Sequence, residues 1–159
     1  MRFVLNRAPS RAIAADADAA YDPDELWPAH EWDGWQAALP LKNLYAGAAG
    51  VAWGLDALRR RGLVETALDP ADVARRALAA FRREPDFIAG ETLPAQKHSS
   101  LFCGETGPVL VAWLLGPSGE LADDLLELVR RNIGNETASN RVQQELSKRV
   151  GESFVVTFA

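Results

Sequence analysis

Two stretches of this chain are cast on one pattern. Leu44, Tyr45, Gly47 and Gly50 of LYAGAAGVAWGLDALRRRG recur as Leu101, Phe102, Gly104 and Gly107 of LFCGETGPVLVAWLLGP, all at one offset of about 57 residues. A period of that length belongs to supersecondary units that leave an apolar face for a neighbouring unit, so it limits the fold more than any other feature. In each copy the glycine pair stands at the start of an apolar run. Its first use is steric, since glycine lets backbone run close to a neighbour and permits positive φ. The G-x-x-G spacing is too generic to imply phosphate binding, and no strand precedes it as a dinucleotide fold would require.

The runs that follow have helical periodicity. Val51, Trp53, Leu55 and Leu58 recur up to the cationic stretch Arg59 to Arg61, which suits a helix C-terminus closed by Gly62. Asp69 can cap a next helix with Pro70 in its first turn and Val73, Ala77, Leu78 and Phe81 on one face, ending where Glu84 meets Pro85. In the second copy Gly107 and Pro108 open a shorter apolar helix through Leu115. Ser118 then caps a helix bearing Leu121, Leu125, Leu128 and Val129. Each copy is thus expected to be a pair of helices, and the span from Gly50 to Pro70 is much longer than that from Gly107 to Ser118, so the pairs are unequal. A further helix is expected over APSRAIAADADAAYD, opened by Pro9 and Ser10 and stopped near Pro23. Trp27, Trp32 and Trp35, broken by Pro28 and Pro40, read as an ordered connector pinned by aromatic side chains. β-Branched residues are sparse until the last line, and the fold class expected is all-α.

Composition narrows the function. At 159 residues, nearly half of them hydrophobic, the chain can bury one sizeable core. A net charge of −5, with no basic block beyond Arg59 to Arg61, argues against a nucleic-acid or anionic-membrane partner. No apolar run approaches the length of a membrane span. The lone Cys103 excludes an internal disulfide and a Cys-pair zinc site, which fits a reducing compartment, and a cytoplasmic location is expected.

Few residues could carry chemistry. Cys103 precedes an expected helix N-terminus, which favours thiolate, but Ala46 holds the matching place in the first copy, so the pattern requires only a small residue there. His30 and His98 could act as base or ligand; His30 sits with Glu31 and Asp33, whose carboxylates could orient an imidazole, although a solvated connector has the same composition. Glu105 could cap or bind at the second glycine turn.

The segments LKNLYAGAAGVAWGLDALRRRG and SSLFCGETGPVLVAWLL, with LWPAHEWDGW before them, resemble the N-terminal part of lanthionine synthetase C-like proteins, the cyclases of lantibiotic biosynthesis. The likeness runs from about Ala12 to Asn135. It implies an α/α toroid of helical hairpins, here an incomplete ring, in which each glycine turn precedes an inner helix. It gives residues 1–135 as a partial toroid domain and residues 136–159, ending in the β-prone SFVVTFA, as a divergent tail. The family's full-length members hold zinc through two cysteines and a Cys-His-Gly motif, and the metal activates a thiol that adds to dehydrated Ser or Thr in a peptide to form a thioether. Those motifs are absent from this sequence, so no cofactor is expected in this chain, no ligand role passes to Cys103, His30 or His98, and catalytic inactivity is expected. Such a tail is what a frame change or truncation can produce, and an ordinary terminal strand or a docked tail would have the same composition. Two other readings stand beside it. One is a binding or scaffold module that takes a peptide or associates with itself through an apolar edge left by missing repeats; the other is a sugar-acting toroid enzyme using carboxylates such as Glu31, Asp33 and Glu105.

Overall fold

The computed structural model describes residues 7–30, 37–87 and 99–131. Among these residues every regular element is a helix: α1 (Arg7–Ala20), α2 (Ala48–Arg60), α3 (Pro70–Arg83), α4 (Thr106–Leu115) and a fifth, α5, over 119–131. One isolated bridge joins Asp22 and Leu26. None of these helices is long and apolar enough to cross a membrane. The tail expected over 136–159 lies outside the described residues.

Helix α3 follows its sequence signals closely. The Asp69 carboxylate accepts from the Ala71 N–H at 3.1 Å, Pro70 occupies the first turn where no N–H is needed, and Val73, Ala77, Leu78 and Phe81 are all buried. Ser118 caps α5 by accepting from Leu121 N at 3.2 Å. Helix α1 begins two residues before Pro9, which falls in the first turn and costs no intrahelical bond.

The core lies where α2, α3 and α4 pack on one another. Ala49 and Ala52 of α2 meet Val73, Ala74 and Leu78 of α3, with Val109, Val111 and Ala112 of α4 and Leu128 of α5 closing the cluster. Alanine on α2 and α3 lets the helix axes approach closely, and the larger residues of α4 fill the space between them. This changes the expected face of α2. Leu55 is buried and Val51 and Leu58 are half-buried, but Trp53 is 50% exposed, and the face turned to the core is the alanine one. Val129 of α5 is likewise exposed.

The connector after α1 is pinned as expected at its described end. Trp27 donates its indole N–H to the Ala17 carbonyl at 2.8 Å and leans on Tyr21, with ring centroids 4.9 Å apart. Trp32 and Trp35 lie outside the described residues.

Candidate functional site

The glycine turns are positioned by their own side chains and by one distant carboxylate. In the first turn the Asn43 Oδ1 accepts from Ala46 N at 2.8 Å; in the second, Ser100 Oγ accepts from Cys103 N at 3.4 Å, at matching places. Gly50 and Gly107 also share a surrounding. A Cβ on Gly50 would collide with the Leu44 carbonyl oxygen, and one on Gly107 with the Leu101 carbonyl oxygen, so the leucine six residues upstream sets the need for glycine in both. Gly107 is further hemmed by the Leu44 side chain, 2.6 Å from where its Cβ would stand. Gly47, the residue before α2, has the Lys42 N–H 2.6 Å from its missing Cβ. Gly104 is buried and its N–H donates to Ser100 O at 3.0 Å. The two turns touch directly, with Tyr45 N donating to Phe102 O at 3.1 Å.

Both helices start earlier than the sequence suggests. Helix α2 begins at Ala48 and α4 at Thr106, so Gly50 and Gly107 lie inside the first turn and Gly47 is the residue that enters the helix. The close carbonyls explain this: glycine is needed where the incoming loop presses against the first helical turn.

The group that holds the first loop is Asp86, just beyond α3. It is fully buried, and its carboxylate accepts from Lys42 N at 2.9 Å, from Asn43 N and Asn43 Nδ2 at 2.8 Å each, and lies 3.1 Å from Lys42 Nζ. Lys42 Nζ also donates to Ala38 O at 3.1 Å, and Asp86 O receives the Ala38 N–H at 2.6 Å. A charge this deep is tolerated because each of its partners is in place. This clamp escaped sequence reasoning, since the partners are 43 and 44 residues apart and belong to no local motif.

Above the turns lies an open groove of about 530 Å³, floored by Gly47, Gly50 and Gly54 and rimmed by Tyr45, Trp53 and Phe102. Tyr45 is 78% exposed and Phe102 57%. Such large aromatics held at the surface beside a glycine floor can take an apolar partner.

The other candidate residues are dispersed. Glu105 is the residue before α4, but its backbone is already helical and its side chain makes no cap bond; it accepts instead from Arg82 Nε at 2.9 Å, and the same guanidinium bonds Asp124 of α5. These two carboxylates hold the Arg82 guanidinium above its ordinary value, against the opposing effect of partial burial, which is the largest single influence. Cys103 is a half-buried free thiol. His30 is exposed at the end of a described segment; Glu31, Asp33 and His98 lie outside the described residues. Among the described residues no group of three or more His, Cys, Asp or Glu side chains could hold a metal ion.

No family model matches the chain, and neither a curated protein nor a solved structure matches it.

Proposed function

We propose that the chain is a helical-hairpin unit of the lanthionine synthetase C-like kind, acting as a scaffold rather than as a catalyst in its own right. The observation that supports this most is the likeness of the two glycine turns: the same leucine carbonyl against the same glycine, the same side-chain bond across the turn, and a direct bond from Tyr45 N to Phe102 O. Turns that share these contacts and start adjacent apolar helices are what an α/α toroid of hairpins requires. The thioether chemistry of that family calls for a zinc ion, which would supply an activated thiolate; none of the residues described here is assigned a step of it.

Two measurements test the reading. Sequencing the transcript through its downstream flank, with translation in all frames past Asn135, is expected to yield further glycine turns, a cysteine and a Cys-His-Gly motif; flanks without such a continuation would count against the ancestry. The purified chain, incubated with zinc and a dehydrated cysteine-containing peptide, is expected to leave the thiol titre unchanged, and consumption of thiol would overturn the scaffold assignment.

The exposed Tyr45, Trp53 and Phe102 favour self-association through the groove as the scaffold's contact. Sedimentation equilibrium should show a concentration-dependent dimer that Tyr45→Ser with Phe102→Ser weakens at least ten-fold. A monomer at every concentration would remove this contact from the proposal. The sugar-acting alternative has less support, because Glu105, the one carboxylate of its trio that is described, is committed to Arg82.

A further inference from the structure

Past Trp53 the surface of α2 opens into a second hollow, of about 290 Å³, between the C-terminal half of α2 and the end of α4. Its composition differs from that of the glycine groove. Trp53, Leu114 and Leu115 form an apolar wall, and Asp56, Arg60 and Arg61 a polar one. The volume is near the lower end of small-ligand sites, which are mostly apolar with a few placed polar groups.

Asp56 is the informative residue. Its side chain is only 7% exposed, and its oxygens are taken by Arg59 Nη2 at 3.1 Å and Arg60 Nε at 2.5 Å. Helix-surface pairs of this spacing usually join two exposed side chains and contribute little. Here the carboxylate lies beneath and the guanidinium groups lie outside it, so Asp56 orients Arg60 from behind. Arg61 is turned back by a bond from Nη1 to Ala57 O at 2.9 Å, and among the described residues no carboxylate is paired with it. Two guanidinium groups against one carboxylate leave the hollow net cationic on a chain whose overall charge is −5. Arginines at a helix C-terminus are favoured by the helix dipole whether or not they bind anything. The dipole does not account for an indole half-exposed beside them, nor for a buried carboxylate bonded to two of them.

We propose that this hollow binds a flat apolar molecule bearing one oxyanion group. The ring lies against Trp53 and the leucines, and the anion meets Arg61 and the outer face of Arg60. A guanidinium fork suits a planar oxyanion, and the low charge density of an aromatic ring suits the indole wall. The site shares Trp53 with the rim of the glycine groove but takes none of its glycine floor, and it does not depend on the hairpin ancestry proposed above.

The test is a fluorescence titration of the full chain with two probes of the same ring system: 1-anilinonaphthalene-8-sulfonate, which is anionic, and N-phenyl-1-naphthylamine, which is neutral. The sulfonate is expected to bind at least ten-fold more tightly, with one probe per chain. Arg61→Gln should remove most of that preference, Trp53→Ser should weaken both probes, and Arg11→Gln on α1 should change neither. Equal binding of the two probes, or a preference that survives Arg61→Gln, overturns the proposal. So does an equal loss in the Arg11→Gln chain, which would trace the preference to bulk charge. Unchanged circular dichroism of the Arg61→Gln chain establishes that any loss is not one of folding.

Discussion

A missing methyl group does as much in this molecule as many large side chains. Gly107 and Gly54 are both helical glycines, yet the first would press a Cβ into the Leu101 carbonyl and the Leu44 side chain while the second has nothing within 4 Å. Gly107→Ala should therefore destabilise by about 1–3 kcal/mol, the usual cost of overpacking, and Gly54→Ala should stabilise by about 0.5–1 kcal/mol through helix propensity. Urea unfolding of the two variants checks both signs, and equal effects would show that the turn has room to relax. Tyr21 gives a second contrast at this scale. Its hydroxyl is buried with no hydrogen-bond partner among the described residues, and burial raises its pKa above the ordinary 10.0. Removing a desolvated, unpaired hydroxyl leaves the ring contact with Trp27 intact, so Tyr21→Phe should be neutral or stabilising by up to about 1 kcal/mol in the same assay; a clear loss would mean that the hydroxyl has a partner in solution.

At the scale of elements, what could be read from the sequence depended on how local the signal was. Helix α3 was legible because its cap, its first-turn proline and its apolar face all lie within one segment. The core face of α2 was not, since it is built of Ala48, Ala49 and Ala52, and alanine marks a close approach only when the opposing helix is known. Glu105 looked like a cap from its place before α4; Arg82, which claims it, arrives from α3. The glycine turns were found by their repetition, but Asp86, which fixes the first of them, resembles any solvated aspartate after a helix. Asp86→Ala is expected to cost about 3–5 kcal/mol, because it leaves the Lys42 ammonium buried and unpaired and two backbone N–H groups without their acceptor. A denaturation midpoint close to that of the parent chain would show that water replaces the carboxylate.

The whole molecule's response to acid follows from its paired carboxylates. Arg76 donates to Asp72 and lowers its pKa below the ordinary 3.8, with burial opposing; Asp22 is lowered by the backbone N–H groups of Glu25 and Asp24. A depressed folded pKa means stability that is present above the unfolded value and is lost as pH falls through the folded one. The chain should thus lose stability as pH drops below about 4, and Asp72→Asn should flatten that loss while lowering stability slightly at pH 7. Thermal unfolding of both chains from pH 7 to pH 2.5 measures the difference, and parallel curves would mean that the Asp72–Arg76 pair does not persist in solution.

The Asp86 clamp also bears on the order of folding events. Its partners are 43 and 44 residues apart, and α2 and α3 both lie in the intervening chain. Closing so long a loop is entropically costly until the two helices have packed and drawn its ends together. The loop before α2 is then expected to be set after the hairpin beneath it, and pulsed hydrogen exchange should protect the amides of Lys42 and Asn43 later than those of α2 and α3.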